Sequence, residues 1–252
     1  MSVISSELSK DEKRKMKRFQ LENKDDFRVY LHEIIGRMDK CIVKYKRYLQ
    51  RMNNYIQKIT EEDNIRNDSP MPYDDYSEFV DLFSSVDSYV LNLIGDSQDN
   101  SISYKKFRDI LAKRKNKNTL DFEIRELDEK TVLLINDLNK MRNWINHVPE
   151  SLLVSQIKLI DEGNLCKHDV NPIGIYYHNY CTFELLKDLF DTSQNFYKGI
   201  RRIHQNMKKD YSSLIGERVE VERIFLDKPK GVEHLEMAKL SASVQGIKGS
   251  LD

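Results

Sequence analysis

The chain has 252 residues, 33% of them charged, with only 9 Gly and 5 Pro, which excludes a turn-rich all-β architecture and points to long charged helices. Its 41 basic and 41 acidic residues cancel, so any attraction to nucleic acid or membrane must come from local patches. The three Cys form no regular framework, the opening is too charged for a signal peptide, and no apolar run approaches the roughly 18 residues of a bilayer span, so a soluble cytoplasmic protein is expected.

Residues 1–24 read as a charged N-terminal segment that includes the basic cluster Lys13 to Arg18. Apolar residues at Phe27, Leu31, Ile34, Met38, Cys41, Tyr45, Tyr48, Met52, Tyr55 and Ile59 then alternate steps of four and three. This spacing predicts a helix about 50 Å long at 1.5 Å per residue. Ile35, Ile42, Leu49 and Ile56 widen the stripe beyond a two-stranded seam, which places the helix in a bundle. A polar loop with Asn67, Asp68, Ser69, Pro70 and Pro72 ends it. A second helix is expected from about Tyr73 to Ile94, followed by the turn GDSQDNS and a short basic helix in SYKKFRDILAKRKNKN. The next predicted helix runs from about Thr119 to His147, with Leu120, Ile124, Leu127, Thr131, Leu134, Leu138, Met141 and Ile145 towards the core. Pro149 disfavours helical geometry at Val148 and stops it there. Glu150 to Asp161 read as one more helix, and about Tyr180 to Ser213 as a long final one. VEVERIFLD reads as a short strand within a C-terminal extension and flexible tail, residues 216–252. The expectation is one all-α domain, a bundle of long helices over residues 25–215.

The helix before Pro149 ends in RNWINHV, which includes the single Trp of the chain. At 100° per residue, Arg142, Asn143, Asn146 and His147 share one side, opposite the stripe of Met141, Trp144 and Ile145. Two turns earlier Val132 and Ile135 make that same side apolar. A helix apolar on two sides lies between two layers, and the second layer is expected to be another copy of the chain, with the polar quartet at the edge of the contact.

An Arg, a polar residue beside it and a His after four intervening residues, near the end of a helix in an all-α protein, resembles the Rx4-6H motif of HEPN-domain ribonucleases. The resemblance implies a HEPN-like bundle that pairs as a homodimer, so that two motifs share one cleft and cut RNA without a metal or other cofactor. It implies that His147 transfers protons around the ribose 2′-OH and the leaving oxygen, that Arg142 steadies the phosphate charge, and that Asn143 orients these groups. The residue types suit that chemistry, since a guanidinium offers a fixed fork of donors to phosphate oxygens and His titrates nearest neutral pH. Further substrate contacts are expected from Asn146 and from the basic run, with Lys105, Lys106, Arg108, Lys113 and Arg114 along an RNA backbone. The same resemblance implies a toxin or antiviral effector with a neutralising protein partner.

Other groupings carry less. Cys166, His168, His178 and Cys181 are ligand types that zinc accepts, yet buried thiols and a loop His account for them, and no metal is expected. His32 and His204 read as ordinary surface residues. Without a Gly-rich phosphate loop, GxSxG or HExxH, nucleotide hydrolysis, esterase and zincin chemistry find no support. Two other readings stand beside the ribonuclease: a non-catalytic helical scaffold, favoured by the heptad stripes, and an RNA-binding HEPN relative that leaves RNA intact.

Overall fold

The computed structural model of the chain describes residues 19, 21–63, 65–96, 98, 101–117, 119–120, 122–146, 150–162 and 177–224. The order of elements is α1 (Lys24–Asp63), β1 (Pro70–Pro72), α2 (Tyr73–Gly95), α3 (Tyr104–Asn116), α4 (Glu129–Asn146), α5 (Glu150–Asp161), β2 (Tyr180–Thr182) and α6 (Phe183–Ile215). The architecture is an all-α bundle, as the residue pattern predicts. Its centre is α1 packed against α6 and α2, with α3 near one end and α4 on α2. The heptad-like face of α1 is its buried face: Phe27, Leu31, Ile34, Met38, Tyr45 and Met52 are sealed against Phe83, Val90 and Ile94 of α2 and Ile200, Ile203 and Met207 of α6. No helix among the described residues is long and apolar enough to cross a membrane.

Local chemistry fixes the helix ends. At the start of α1 the Asn23 backbone N–H donates to Asp26 at 3.0 Å while the Asp26 N–H donates back to the Asn23 side chain at 3.0 Å, a reciprocal cap. At the end of α6, Gly216 takes a left-handed φ of 81° and its N–H returns to the Ser212 carbonyl at 2.9 Å. Leu21, before the expected boundary at residue 25, is already buried.

The structure departs from the sequence reading at several places. The predicted polar loop at 67–72 contains β1, which pairs antiparallel with β2, Met71 facing Cys181. This short pairing ties the starts of α2 and α6 together, helped by the Tyr73 N–H to the Asn179 carbonyl at 3.0 Å. The helix expected from Thr119 begins ten residues later. Leu120, Phe122 and Ile124 lie in a segment that is non-helical over its described residues and lean on the core, with the Phe122 and Phe27 ring centroids 5.4 Å apart. Asp128 then caps α4 by accepting from the Thr131 N–H at 3.0 Å and the Thr131 hydroxyl at 2.7 Å. The expected strand VEVERIFLD is irregular over its described residues. Arg223 fastens it to α1 by two hydrogen bonds to Asp39, at 2.8 and 2.9 Å, so the packed body extends past residue 215. Finally, His204 is buried rather than on the surface. A ring nitrogen donates to the Ile35 carbonyl and Nε2 has no partner, while burial pushes the imidazole down to about 4.

Candidate functional site at the end of helix α4

The cap at Asp128 sets the rotation of α4. The residues that turn inward are Thr131, Ile135, Leu138 and Arg142, at steps of four, three and four. Ile135, expected on an outer apolar face, is therefore core. Met141, Trp144 and Ile145, expected in the core, are exposed, with Trp144 61% accessible. Close packing against α2 holds this orientation. Gly95 admits the α4 backbone so closely that a Cβ there would lie 2.9 Å from the Asn139 Cα.

Arg142 occupies the last inward position and is 8% exposed. Each of its guanidinium nitrogens is engaged: Nε donates to Asn92 Oδ1 at 3.0 Å, Nη1 to Asn143 Oδ1 at 3.3 Å, and Nη2 faces Asp96 Oδ1 at 3.0 Å. The charge expected to steady a phosphate is thus neutralised by a carboxylate at the end of α2. The expectation that Arg142 lies away from the core is corrected: α4 starts later and rolls, which carries residue 142 inward.

Asn143 is exposed. Its Oδ1 accepts from Arg142, which turns its Nδ2 donors outward. His147 and the Asn146 side chain lie outside the described residues, as do Cys166 and His168. The described part of the quartet can therefore fix a helix end and present one neutral amide donor to whatever approaches. Asn92 and Asp96, the partners of Arg142, escaped the sequence reading. Their signal is a polar pair at i and i+4 that brackets the apolar end Leu93–Ile94–Gly95 of the helix.

The basic run on α3 is largely committed to the chain itself. Arg108 donates to Asp210 and, at 2.9 Å, to the Arg125 carbonyl. Asp210 has no exposed side-chain surface, and Tyr104 donates to it at 2.6 Å. Burial raises the Asp210 carboxyl above its ordinary value while Arg108 and Arg125 pull it back. Lys105 pairs with Asp109 at 2.8 Å, the Lys106 ammonium donates to the Ser101 carbonyl at 3.0 Å, and Arg114 donates to the Glu22 carbonyl at 2.7 Å. Lys113 is exposed. Arg108 and Arg114 tie α3 to α6, to Arg125 and to Glu22 just before α1, and Lys105 and Lys106 are paired locally.

What lies open beside Arg142 is apolar. Leu133, Met141, Trp144 and Ile145 are exposed on one side of α4 and Val132 on the opposite side, and Leu152, Leu153, Val154, Ile157 and Leu159 are exposed around α5. Helix α5, 12 residues long, packs extensively on no other described element. A helix that short is marginal in water without a packing partner. Comparison with protein families, with curated proteins and with solved structures finds no match for this chain.

Proposed function

We propose that the chain acts on RNA as a pair of copies joined through the exposed apolar face of α4 and α5, with Asn143 and His147 of both copies at the edge of the contact. The observation that carries this reading is the set of exposed apolar side chains that α4 and α5 carry on either side of the Arg142–Asn143 helix end. The exposed apolar side chains on these two consecutive helices are of the kind that an interface between copies buries. A second copy would cover it and bring two helix ends together, the arrangement that the Rx4H resemblance implies. In this reading His147 moves the protons, Asn143 donates to a phosphate or ribose oxygen, and Arg142 holds both on a fixed helix end and does not itself grip phosphate. The test is incubation of the full chain with labelled single-stranded RNA in excess chelator. Cleavage is expected, with a loss of about 10² to 10⁴-fold in His147→Ala, the usual contribution of general acid–base transfer. No cleavage by folded wild-type protein, or equal cleavage by His147→Ala, overturns it.

One observation favours a second reading, the non-catalytic scaffold. Arg142 is buried and its guanidinium is occupied by Asn92, Asn143 and Asp96. In that reading the motif residues only fasten α4 to α2, and the apolar face serves assembly alone. The same assay separates the two, since the scaffold leaves RNA intact.

A further inference from the structure

We infer that the outer face of α1 is a track for single-stranded RNA that leads to the α4 helix end. Arg37, Lys40, Lys44, Arg47 and Arg51 follow one another at steps of three and four and are all exposed, on the side of α1 away from its buried stripe. At 1.5 Å per residue the five cations span roughly 21 Å. In a chain of zero formal net charge this is a strong local concentration. Exposed Asp81 lies on the same α2 face as Ser85 and Tyr89, and other nearby carboxylates are paired. Glu33 pairs with Arg37 at 2.6 Å, Glu78 of α2 pairs with Arg51, and Asp39 is buried and taken by Arg223. Among the described residues Lys40, Lys44 and Arg47 have no carboxylate partner, and the Lys44 ammonium sits 5.5 Å from the Tyr48 ring.

Beside this stripe an open groove runs between α1 and α2, lined among others by His32, Lys40, Lys44, Ser85 and Tyr89. The Tyr89 ring is half-exposed, and its hydroxyl accepts from Arg37 at 2.9 Å, which holds it at the groove wall. On α2, Ser85, Tyr89, Asn92 and Asp96 recur at steps of four, three and four, one face of the helix. The first two line the groove; the last two hold Arg142. Only about 4.5 Å of helix rise separates Tyr89 from Asn92. Cations and an exposed aromatic ring thus line one groove, and the same face of α2 continues to the residues that hold the α4 end. A charged groove with an aromatic platform is what binds a single strand without sequence preference, the cations tracking phosphates and the ring stacking a base. A membrane is less suited, because the stripe itself carries no large apolar side chain to enter lipid.

The inference rests on the proposed action on RNA for what happens at the end of the track, while binding is tested separately. The probe is a labelled 20-nucleotide single-stranded RNA of mixed sequence, with DNA of the same sequence as an uncleavable control, followed by anisotropy at ~50 to 200 mM salt. Lys40→Ala/Lys44→Ala/Arg47→Ala should bind at least about tenfold more weakly, and the slope of log affinity against log salt should fall by roughly 2, near 0.7 for each phosphate that is no longer neutralised. Lys115→Ala/Lys117→Ala at the C-terminal end of α3 should bind within about twofold of wild type. Ultraviolet crosslinking of RNA to the unmodified chain should map to Tyr89. Unchanged affinity in the α1 variant, crosslinks confined to α3, or equally tight binding of polyglutamate overturns the track. Binding that follows these predictions without any cleavage keeps the track and refutes the nuclease. Cleavage with α1-independent binding does the reverse.

Discussion

Replacing Arg142 with Ala should destabilise the fold, and the structure sets the size of the effect. The guanidinium is almost fully buried and holds Asn92, Asn143 and Asp96 at once. Removing one member of a buried ion pair typically costs ~3–5 kcal/mol, because the other charge is left uncompensated. Asp96 retains the Gln98 N–H at 3.0 Å, so the cost belongs at the lower end, about 3 kcal/mol. For a domain of this size that corresponds to a fall in melting temperature of about 6–12 °C. Arg142→Lys should lose less, about 1–2 kcal/mol, since an ammonium can face Asp96 but cannot also reach Asn92 and Asn143 with a planar fork. Arg142→Met/Asp96→Leu should recover much of the stability, because it removes both charges together. Urea denaturation followed by circular dichroism at 222 nm measures all three. An Arg142→Ala protein within about 0.5 kcal/mol of wild type would refute the argument and return Arg142 to the surface role its sequence position suggested.

Gly95→Ala should cost about 1–3 kcal/mol, since the added Cβ meets the Asn139 backbone at 2.9 Å and α4 must shift away from α2; an unchanged melting temperature would contradict that packing. Two buried groups give opposite pH signatures. The His204 imidazole is pushed from 6.5 down to about 4, so the stability gained from keeping it neutral is present above pH 6.5 and lost as pH falls towards 4. His204→Gln should flatten this acid limb in thermal melts. The Asp87 carboxyl is pushed by burial from 3.8 up to about 7, and neither its Oδ1 nor the nearby Tyr45 hydroxyl has a hydrogen bond of ordinary geometry. Its contribution is therefore present below pH 3.8 and lost as pH rises through 7. Asp87→Asn should raise the melting temperature at pH 8 and change little at pH 3.5, and an equal effect at both would count against the assignment.

The long helices were legible because burial on one side imposes a period. The stripe from Phe27 to Ile59 on α1, and the helix from Tyr73, follow from spacing alone. Helix α4 was misjudged because Leu120, Ile124 and Leu127 fit a helical stripe, while Leu120, Phe122 and Ile124 fit an extended one equally well. Asp128 with Thr131 decides between them through a cap that depends on Arg202, whose Nη2 donates to Asp128 at 2.6 Å from the far end of the chain. The error then propagated: a helix begun ten residues early and rolled places Arg142 outward and Trp144 inward. Charge is ambiguous in sequence in a similar way. The run on α3 is dense in sequence but spent on Asp210 and backbone carbonyls, whereas the cations of α1 are spaced by three and four and gather only once the helix is drawn.

The central claim is that two copies meet through α4 and α5 to build an RNA-cleaving site. The most direct test is Val154→Glu/Ile157→Glu, which places two charges on exposed positions of α5, outside the helix that carries Arg142. Sedimentation and cleavage of single-stranded RNA are measured on the same sample. The account predicts a wild-type dimer at micromolar concentration, a monomeric variant with an unchanged melting profile for the bundle, and loss of cleavage together with loss of the dimer. A monomeric wild type, or a monomeric variant that cuts RNA at the wild-type rate, would contradict it.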